Sequence, residues 1–210
     1  MTHSIVRSRS ARAFVVVSGA LVGACGGTSE HVAHTPTPSC VAPELPLQDH
    51  PSAPRTLALA SADFEDGGRL GDAQVLNGFG CTGGNHAPEL HWSAVPEGTK
   101  SFAVVVHDPD APTGVGFFHW LATDVPAGTT SLPSGGPLPS GSVELHTDFG
   151  GPGYGGPCPP PGAPHRYVFT VYALDVDHLG LPPGATGAFV RFAVSQHTLA
   201  WGRIVGTYGR

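Results

Sequence analysis

The sequence predicts a mainly β domain, a sandwich of antiparallel sheets with few helices, which follows a non-globular N-terminal segment. Short apolar runs separated by turn residues favour this class, and the chain contains 30 Gly and 22 Pro among 210 residues without a fixed period. That composition excludes a coiled coil and a regular helix bundle. Because 40% of the residues are hydrophobic, the chain can bury a packed core and is not disordered throughout.

The first residues have the features of an export signal. The only charges before Cys25 belong to Arg7, Arg9 and Arg12, and residues 13–24 form a short run of mostly apolar and small side chains. This run is shorter than the roughly 20 residues that cross a bilayer. A positive start followed by such a run therefore indicates a secretory signal and not a membrane span.

The end of this signal is similar to the lipobox of bacterial lipoproteins, in which the cysteine is lipidated. Residues 21–25 read Leu-Val-Gly-Ala-Cys. We therefore expect a lipoprotein-type signal peptide over residues 1–24, acylation of Cys25 and attachment of the protein to a membrane of the cell envelope. The alternative is an ordinary signal peptide with an incidental cysteine, which would give a periplasmic or secreted protein.

Residues 25–55 are predicted to be a flexible tether, and residues 56–210 the folded domain. The tether is rich in Gly, Ser, Thr, Pro and His and shows no apolar periodicity, so it cannot bury enough surface to offset the entropy of ordering it. After Cys25 the chain has 7 basic and 16 acidic residues, a net charge of −9. Nucleic acid is therefore excluded as a partner, because binding its phosphates requires clustered cations.

Three cysteines remain if Cys25 is acylated. Thiols outside the cytoplasm tend to pair, and Cys81 and Cys158 both lie in the predicted domain, whereas Cys40 lies in the tether. A disulfide between Cys81 and Cys158 is therefore expected. Two free thiols near one another are the alternative.

Five segments are predicted to be strands, because each is short, apolar or β-branched, and bounded by turn residues. The third of them is a continuous apolar run, which is typical of a strand buried on both faces. The fifth carries the highest density of β-branched and aromatic residues. In order, the segments are Leu57–Ser61, Leu90–Trp92, Ser101–His107, Phe117–Val125 and Arg166–Val176.

One helix is predicted near the C-terminus. Ser195 can cap a first turn, the run His197–Val205 contains no proline, and Gly206 suits a left-handed stop.

Chemistry-bearing residues cluster around the ends of the predicted strands. Asp108 and Asp110 follow the most apolar strand on a loop restricted by prolines, which we expect to face solvent. His119 and His165 lie where two other strands open. The loop over residues 154–162 is rich in Gly and Pro. Proline fixes its path, and glycine lets a ligand approach the backbone closely.

These motifs, in this order, resemble the phosphatidylethanolamine-binding protein family, and in particular its bacterial branch, often labelled Raf-kinase-inhibitor-like. The resemblance extends over residues 57–210. It is carried by Asp-Pro-Asp-Ala-Pro at 108–112, Gly-Phe-Phe-His-Trp at 116–120, Tyr-Gly-Gly-Pro-Cys-Pro-Pro at 154–160 and His-Arg-Tyr at 165–167.

The resemblance implies a sandwich of two antiparallel sheets with a small anion pocket at one end. The pocket would accept phosphate-type groups, including a phospholipid headgroup. Carried over position by position, its residues are Asp108, Asp110, His119, His165, Gly156, Pro157, Cys158 and Pro159, with Pro112, Tyr154 and Tyr167 as further candidates.

Carboxylates beside an anion should repel it, so their presence needs a physical explanation. In one scheme an aspartate accepts a hydrogen bond from the far nitrogen of a histidine and directs the other N–H toward the anion. In a second scheme the carboxylate accepts from the ammonium of a ligand or from a protonated phosphate oxygen.

The predicted function is therefore a binding protein for a small anionic ligand or a phospholipid headgroup, attached to the membrane by a lipid anchor. A protein–protein regulator that acts on an unknown partner through the rim of the pocket is the alternative. A hydrolase is a further one, because Asp108, His119 and His165 could hold Zn²⁺ or act in acid–base catalysis. We assign no cofactor, catalytic residue or metal ligand.

Overall fold

The structure, a computed structural model, describes residues 52–182 and 184–210. The predicted signal peptide, Cys25, Cys40 and most of the predicted tether lie outside the described residues. Ten strands and one α-helix form the described part of the chain. The strands are β1 (Ala58–Ala60), β2 (Asn77–Gly78), β3 (Cys81–Thr82), β4 (Leu90–Ser93), β5 (Ser101–Asp108), β6 (Phe117–Pro126), β7 (Ser131–Leu132), β8 (Val143–Glu144), β9 (His165–Leu174) and β10 (Thr198–Tyr208), and the helix is α1 (Gly187–His197).

The strands form antiparallel sheets, which confirms the predicted class. The larger sheet has the order β10-β9-β5-β6-β8, the smaller one the order β1-β4-β7, and β2 and β3 form a separate hairpin. Strand β5 lies at the centre of the larger sheet and pairs with both β6 and β9. Its continuous apolar sequence follows from this position, because both of its faces are covered.

The larger sheet separates two apolar clusters. One lies between the two sheets and includes Phe102, Phe169 and Trp92. The other lies on the outer face of the larger sheet, where Val190 and Val194 of α1 pack over the strands. Among residues 52–182 and 184–210, no helix is both long enough and apolar enough to span a bilayer.

The C-terminal helix is present but lies earlier in the chain than its predicted position. It begins after Thr186, whose hydroxyl accepts a hydrogen bond from the backbone N–H of Phe189, and it ends at His197. The predicted helical position over His197–Val205 is wrong, because α1 ends at His197 and β10 begins at Thr198.

Strand pairing overrides the local helical signals in β10. Buried Ala200 and Ile204 alternate with Trp201 and Arg203, which is the period of two of a strand that has one face in the core. The strand pairs with β9 along its length, and the described part of the chain contains one α-helix where a few were expected.

The topology brings several strand ends to one edge of the larger sheet. Asp108, the last residue of β5, pairs with Phe117, the first residue of β6. His165, the first residue of β9, pairs with Tyr208, the last residue of β10. The residues that the sequence placed around strand ends therefore meet at this end of the sheet.

Candidate functional site

A cavity of about 550 Å³ opens at this end of the larger sheet. Its walls are mostly apolar, and its polar groups come from strand ends and adjoining loops. The lining residues used below are Leu76, Phe79, Asp108, Pro112, Phe117, His119, Asp148, Phe149, Cys158, Pro159, His165, Tyr167 and Arg210.

Asp108 and His165 form a hydrogen-bonded pair in the cavity wall. The Nδ1 atom of His165 lies 2.7 Å from Oδ2 of Asp108, and both side chains are largely buried. Because a carboxylate can only accept, Nδ1 carries the hydrogen, and Nε2 is the nitrogen that a ligand can reach. The other carboxylate oxygen, Oδ1, accepts from the backbone N–H groups of Asp110 and Ala111 at 2.8 and 3.0 Å. The pair therefore has a fixed orientation.

Asp108 is not on a solvent-facing loop, contrary to the sequence expectation. The residue is 3% exposed. It ends the central strand of the sheet, and its carboxylate closes the turn that follows by accepting from two backbone amides. Its role is therefore structural as well as electrostatic.

His119 is the second imidazole of the cavity. It is buried, and its Nδ1–H donates to the carbonyl oxygen of Gly155 at 2.7 Å. Burial lowers the pKa of His119 below its ordinary value, although the hydrogen bond to Gly155 and the charge of Asp108 oppose this effect. In the neutral ring, Nε2 is a hydrogen-bond acceptor. Rings of Phe117, Phe149 and Tyr167 surround the imidazole, with centroids 5.0 to 5.3 Å away.

Asp110 does not line the cavity. Its Oδ2 accepts from the backbone N–H and from Nε of Arg166, and its Oδ1 accepts from Nη2 of Arg166 at 2.7 Å. Partial burial alone would raise the pKa of Asp110, but the hydrogen bonds from Arg166 hold it below its ordinary value. The carboxylate of Asp110 therefore connects the loop after β5 to the start of β9. Because β9 carries His165, Asp110 supports the site indirectly.

Three predicted residues of the Gly/Pro loop also lie behind the cavity wall. A Cβ atom on Gly156 would overlap the carbonyl oxygen of Gln74, so the close approach that requires glycine is to backbone and not to a ligand. The carbonyl oxygen of Pro157 accepts from Leu76 N–H, and the hydroxyl of Tyr154 donates to Gln74. Gly156, Pro157 and Tyr154 therefore position the wall that Leu76 presents.

Cys158 and Pro159 do line the cavity, and so do Pro112 and Tyr167. Cys158 forms a disulfide with Cys81, the pair singled out from the sequence, across a separation of 77 residues. The disulfide joins the Gly/Pro loop to the β2–β3 hairpin. Phe79, at the turn of that hairpin, also lines the cavity, so the bond connects two of its walls.

Several residues that line the cavity were not predicted from the sequence. Phe149 packs against Phe117 and Phe79, with ring centroids 4.8 and 6.1 Å away. Asp148 accepts from the backbone N–H of Phe118 at 2.7 Å. Arg210 places a cation at the cavity, held by a hydrogen bond from Nε to the carbonyl oxygen of Pro159. The residues at 148–149 lie in a loop without a regular pattern, so only the tertiary structure identifies them.

The polar side chains of the cavity are arranged for hydrogen bonding. Within residues 52–182 and 184–210, no group of three or more His, Cys, Asp or Glu side chains could hold a metal ion. Both carboxylate oxygens of Asp108 already accept hydrogen bonds, from two amides and from His165. The arrangement offers hydrogen-bond donors and acceptors to a small polar group.

Comparison with known families gives one match over most of the domain. Residues 60–209 match the family described as phosphatidylethanolamine-binding protein. The UPF0098 protein YbhB of Escherichia coli is 45% identical over 157 residues, which are 72% of this chain and 99% of YbhB. LppC of Mycobacterium tuberculosis, provisionally named a lipoprotein, is 38% identical over 209 residues, which are 99% of each chain.

A solved structure agrees with these sequence matches. The crystal structure of E. coli YbcL, described as a new member of the mammalian PEBP family, is similar with a TM-score of 0.71 at 42% identity. The similarity covers 74% of this chain and 99% of YbcL.

Proposed function

This chain belongs to the phosphatidylethanolamine-binding protein family, and on that premise we propose that it is an exported, lipid-anchored protein that binds a phosphate-type group in the cavity. The group would be a free phosphate compound or the headgroup of a phospholipid. One observation carries the proposal: the buried Asp108 carboxylate holds the imidazole of His165 in the cavity wall by a hydrogen bond of 2.7 Å.

The Asp108–His165 pair explains how the carboxylate of Asp108 can lie beside an anionic ligand. When His165 is protonated, the charge of Asp108 is balanced within the pair, and Nε2–H becomes a charge-assisted donor to the anion. Arg210 adds a cation at the cavity. The first of the two schemes considered for the sequence therefore accounts for this geometry.

His119 supplies the complementary function of an acceptor. Its Nδ1–H donates to the carbonyl oxygen of Gly155, and burial disfavours protonation of the ring, so Nε2 of the neutral imidazole offers a lone pair. A singly protonated phosphate or an ammonium group can donate to that nitrogen, whereas a fully deprotonated anion such as sulfate cannot. The cavity is therefore expected to prefer a phosphate that carries a proton, or a headgroup in which an amine accompanies the phosphate.

The lipid anchor is supported by the sequence and by one relative. The lipobox-like residues 21–25 end at Cys25, and the alignment with LppC extends over this N-terminal segment. Acylation of Cys25 would hold the domain at a membrane of the cell envelope. The mass of the intact protein purified from membranes tests this part of the proposal, since it measures the acyl group directly.

Calorimetric titration tests the ligand proposal. Inorganic phosphate, phosphoethanolamine and glycerophosphoethanolamine are titrated into the wild type and into His165→Gln. We expect binding by the wild type and at least a tenfold loss of affinity in the variant. His178→Gln is the matched control, because His178 also pairs with a carboxylate, Asp124, but lies outside the cavity lining and is exposed. Equal affinities in wild type and His165→Gln would overturn the proposal.

A further inference from the structure

We propose that the outer face of the larger sheet, where α1 and the middle of β10 lie, is the surface by which the domain docks on an anionic bilayer. The proposal rests on the lipid anchor of the proposed function, but it concerns a different part of the molecule from the ligand cavity. We call this surface the docking face and define it by Arg55, Phe189, Arg191, Phe192 and Arg203.

Exposed aromatic side chains lie on the solvent side of α1. Val190 and Val194 face the sheet, whereas Phe189 and Phe192 are 46% and 60% exposed, with ring centroids 6.4 Å apart. Two neighbouring aromatic rings on the outside of a helix contribute little to the core. Such rings beside basic residues are typical of helices that lie at a membrane interface.

Three arginines lie on α1 or beside β10 on the same side of the sheet. The guanidinium groups of Arg55 and Arg203 lie over the ring of Trp201, 5.6 and 5.9 Å from its centroid. Trp201 packs against the outer apolar cluster that contains Val190 and Val194 of α1, the helix that carries Arg191, so all three arginines lie on this side of the sheet. None of them forms an ion pair within residues 52–182 and 184–210.

This concentration of positive charge contrasts with the rest of the domain. Three of the seven basic residues after Cys25 lie here, although the chain beyond Cys25 has a net charge of −9. Two acidic residues lie near β10: Asp66 accepts from the backbone N–H of Val205, and Asp175 pairs with His197 at the end of α1. An anionic surface is the complementary partner, and each arginine near such a surface contributes about a fivefold increase in binding.

The position at which the chain enters the domain favours the membrane as the partner of the docking face. The carbonyl oxygens of Ala53 and Pro54 accept hydrogen bonds from the side chain and backbone of Trp201, and Arg55 donates to the carbonyl oxygen of Arg203. The segment that leads to Cys25 therefore joins the domain at the docking face. Residues 26–51 can extend at most about 90 Å, so an acyl group on Cys25 keeps this face within reach of the bilayer.

Trp201 is a built-in reporter for the test. The chain has three tryptophans, and Trp92 and Trp120 are each only 3% exposed. The mature protein, processed at Cys25, is purified from membranes and mixed with vesicles. All vesicles contain interfacially brominated lipids, which quench tryptophan fluorescence. One set contains 30% phosphatidylglycerol, and the other contains phosphatidylcholine as its only phospholipid type. We expect quenching of Trp201 in the anionic vesicles. The variant Trp201→Phe should abolish this quenching, which would show that the signal comes from Trp201.

Paired variants separate the docking face from the rest of the surface. Phe189→Ser/Phe192→Ser and Arg191→Gln/Arg203→Gln should each reduce the quenching at least fivefold. The control variants Val143→Ser and Arg69→Gln should leave the quenching unchanged. Val143 is an exposed apolar residue on β8, at the opposite edge of the sheet, and Arg69 stacks on Tyr208. Equal quenching in all variants, or none in the wild type, would overturn the proposal.

Two further readouts keep this test separate from the proposed function. A dimer in solution that Phe189→Ser/Phe192→Ser dissociates would contradict the proposal, because a second copy of the chain would then be the partner of the docking face.

Phosphate affinity should be unchanged in the docking-face variants, because none of these residues lines the cavity. An intact mass without an acyl group contradicts the anchor, yet the vesicle assay still tests the face, because the mature protein is added whether or not it is acylated.

Discussion

His165 donates a hydrogen bond of 2.7 Å from Nδ1 to Oδ2 of Asp108, a residue 57 positions earlier in the chain. The same carboxylate accepts from two backbone amides in the turn after β5. One buried side chain thus closes the end of the central strand and orients an imidazole in the cavity wall. The stability of the domain and the chemistry of the site are therefore coupled at Asp108.

We predict that Asp108→Ala lowers the free energy of unfolding by about 2–4 kcal/mol, because it leaves two partly buried backbone amides and an imidazole N–H without their acceptor. Asp108→Asn retains an acceptor oxygen and should cost less. Urea denaturation at pH 7 measures both. An unchanged unfolding midpoint in Asp108→Ala would show that the turn does not depend on this carboxylate.

We predict that stability falls as pH is lowered through the ordinary histidine range. Burial lowers the pKa of His119 and of His107 in the folded state. Below about pH 6.5 the unfolded chain therefore binds more protons than the folded one, and each group contributes a slope of up to about 1.4 kcal/mol per pH unit until its folded pKa is reached.

Unfolding experiments between pH 7 and pH 5 measure this slope. His119→Gln should reduce it, because glutamine can still donate to Gly155 but does not titrate. His178→Gln is the control, since that side chain is exposed. The assignment fails if His119→Gln leaves the slope unchanged.

Much of the architecture follows from the sequence, because the five predicted strands depend on local composition. The helix was misplaced because β10 combines helix-compatible residues with an alternation that only pairing with β9 makes decisive. Among the site residues, Asp108, His119 and His165 share the cavity. Asp110 does not, because Arg166, next to His165, offers it several donors. Spacing alone cannot distinguish these two roles.

We predict that Asp110→Asn lowers the stability of the domain but leaves ligand binding almost unchanged. The hydrogen bonds from Arg166 hold the pKa of Asp110 below its ordinary value of 3.8, although partial burial opposes them. The stabilisation is therefore fully present above about pH 4 and is lost as pH falls further. The variant should lose about 1 kcal/mol at pH 7, a small amount because the pair is partly solvated, and the difference in stability between wild type and variant should shrink as the pH falls below about 4.

Phosphate affinity of Asp110→Asn should change less than threefold, because Asp110 does not line the cavity. Titration calorimetry with phosphate on both Asp110→Asn and Asp108→Asn measures the difference between the two variants. A tenfold or greater loss in both variants would place Asp110 in the ligand site itself.

We predict that the Cys81→Ser/Cys158→Ser variant is less stable by about 2–5 kcal/mol, because the disulfide closes a loop of 77 residues in the unfolded chain. Ligand affinity should also fall, since the bond connects the walls that carry Phe79 and Pro159. Denaturation and calorimetry on the oxidised, reduced and variant proteins measure both effects. Undiminished affinity in a folded variant would show that the walls hold their shape without the bond.

Nitrogen NMR of the histidine rings during a titration with inorganic phosphate at pH 7 tests the central claim most directly. If the imidazole of His165, held by Asp108, contacts the anion, saturating phosphate should shift the Nε2 resonance of His165. The resonances of His178, which is exposed and lies outside the cavity lining, should not move. Phosphate binding that leaves the Nε2 resonance of His165 unchanged would contradict the account.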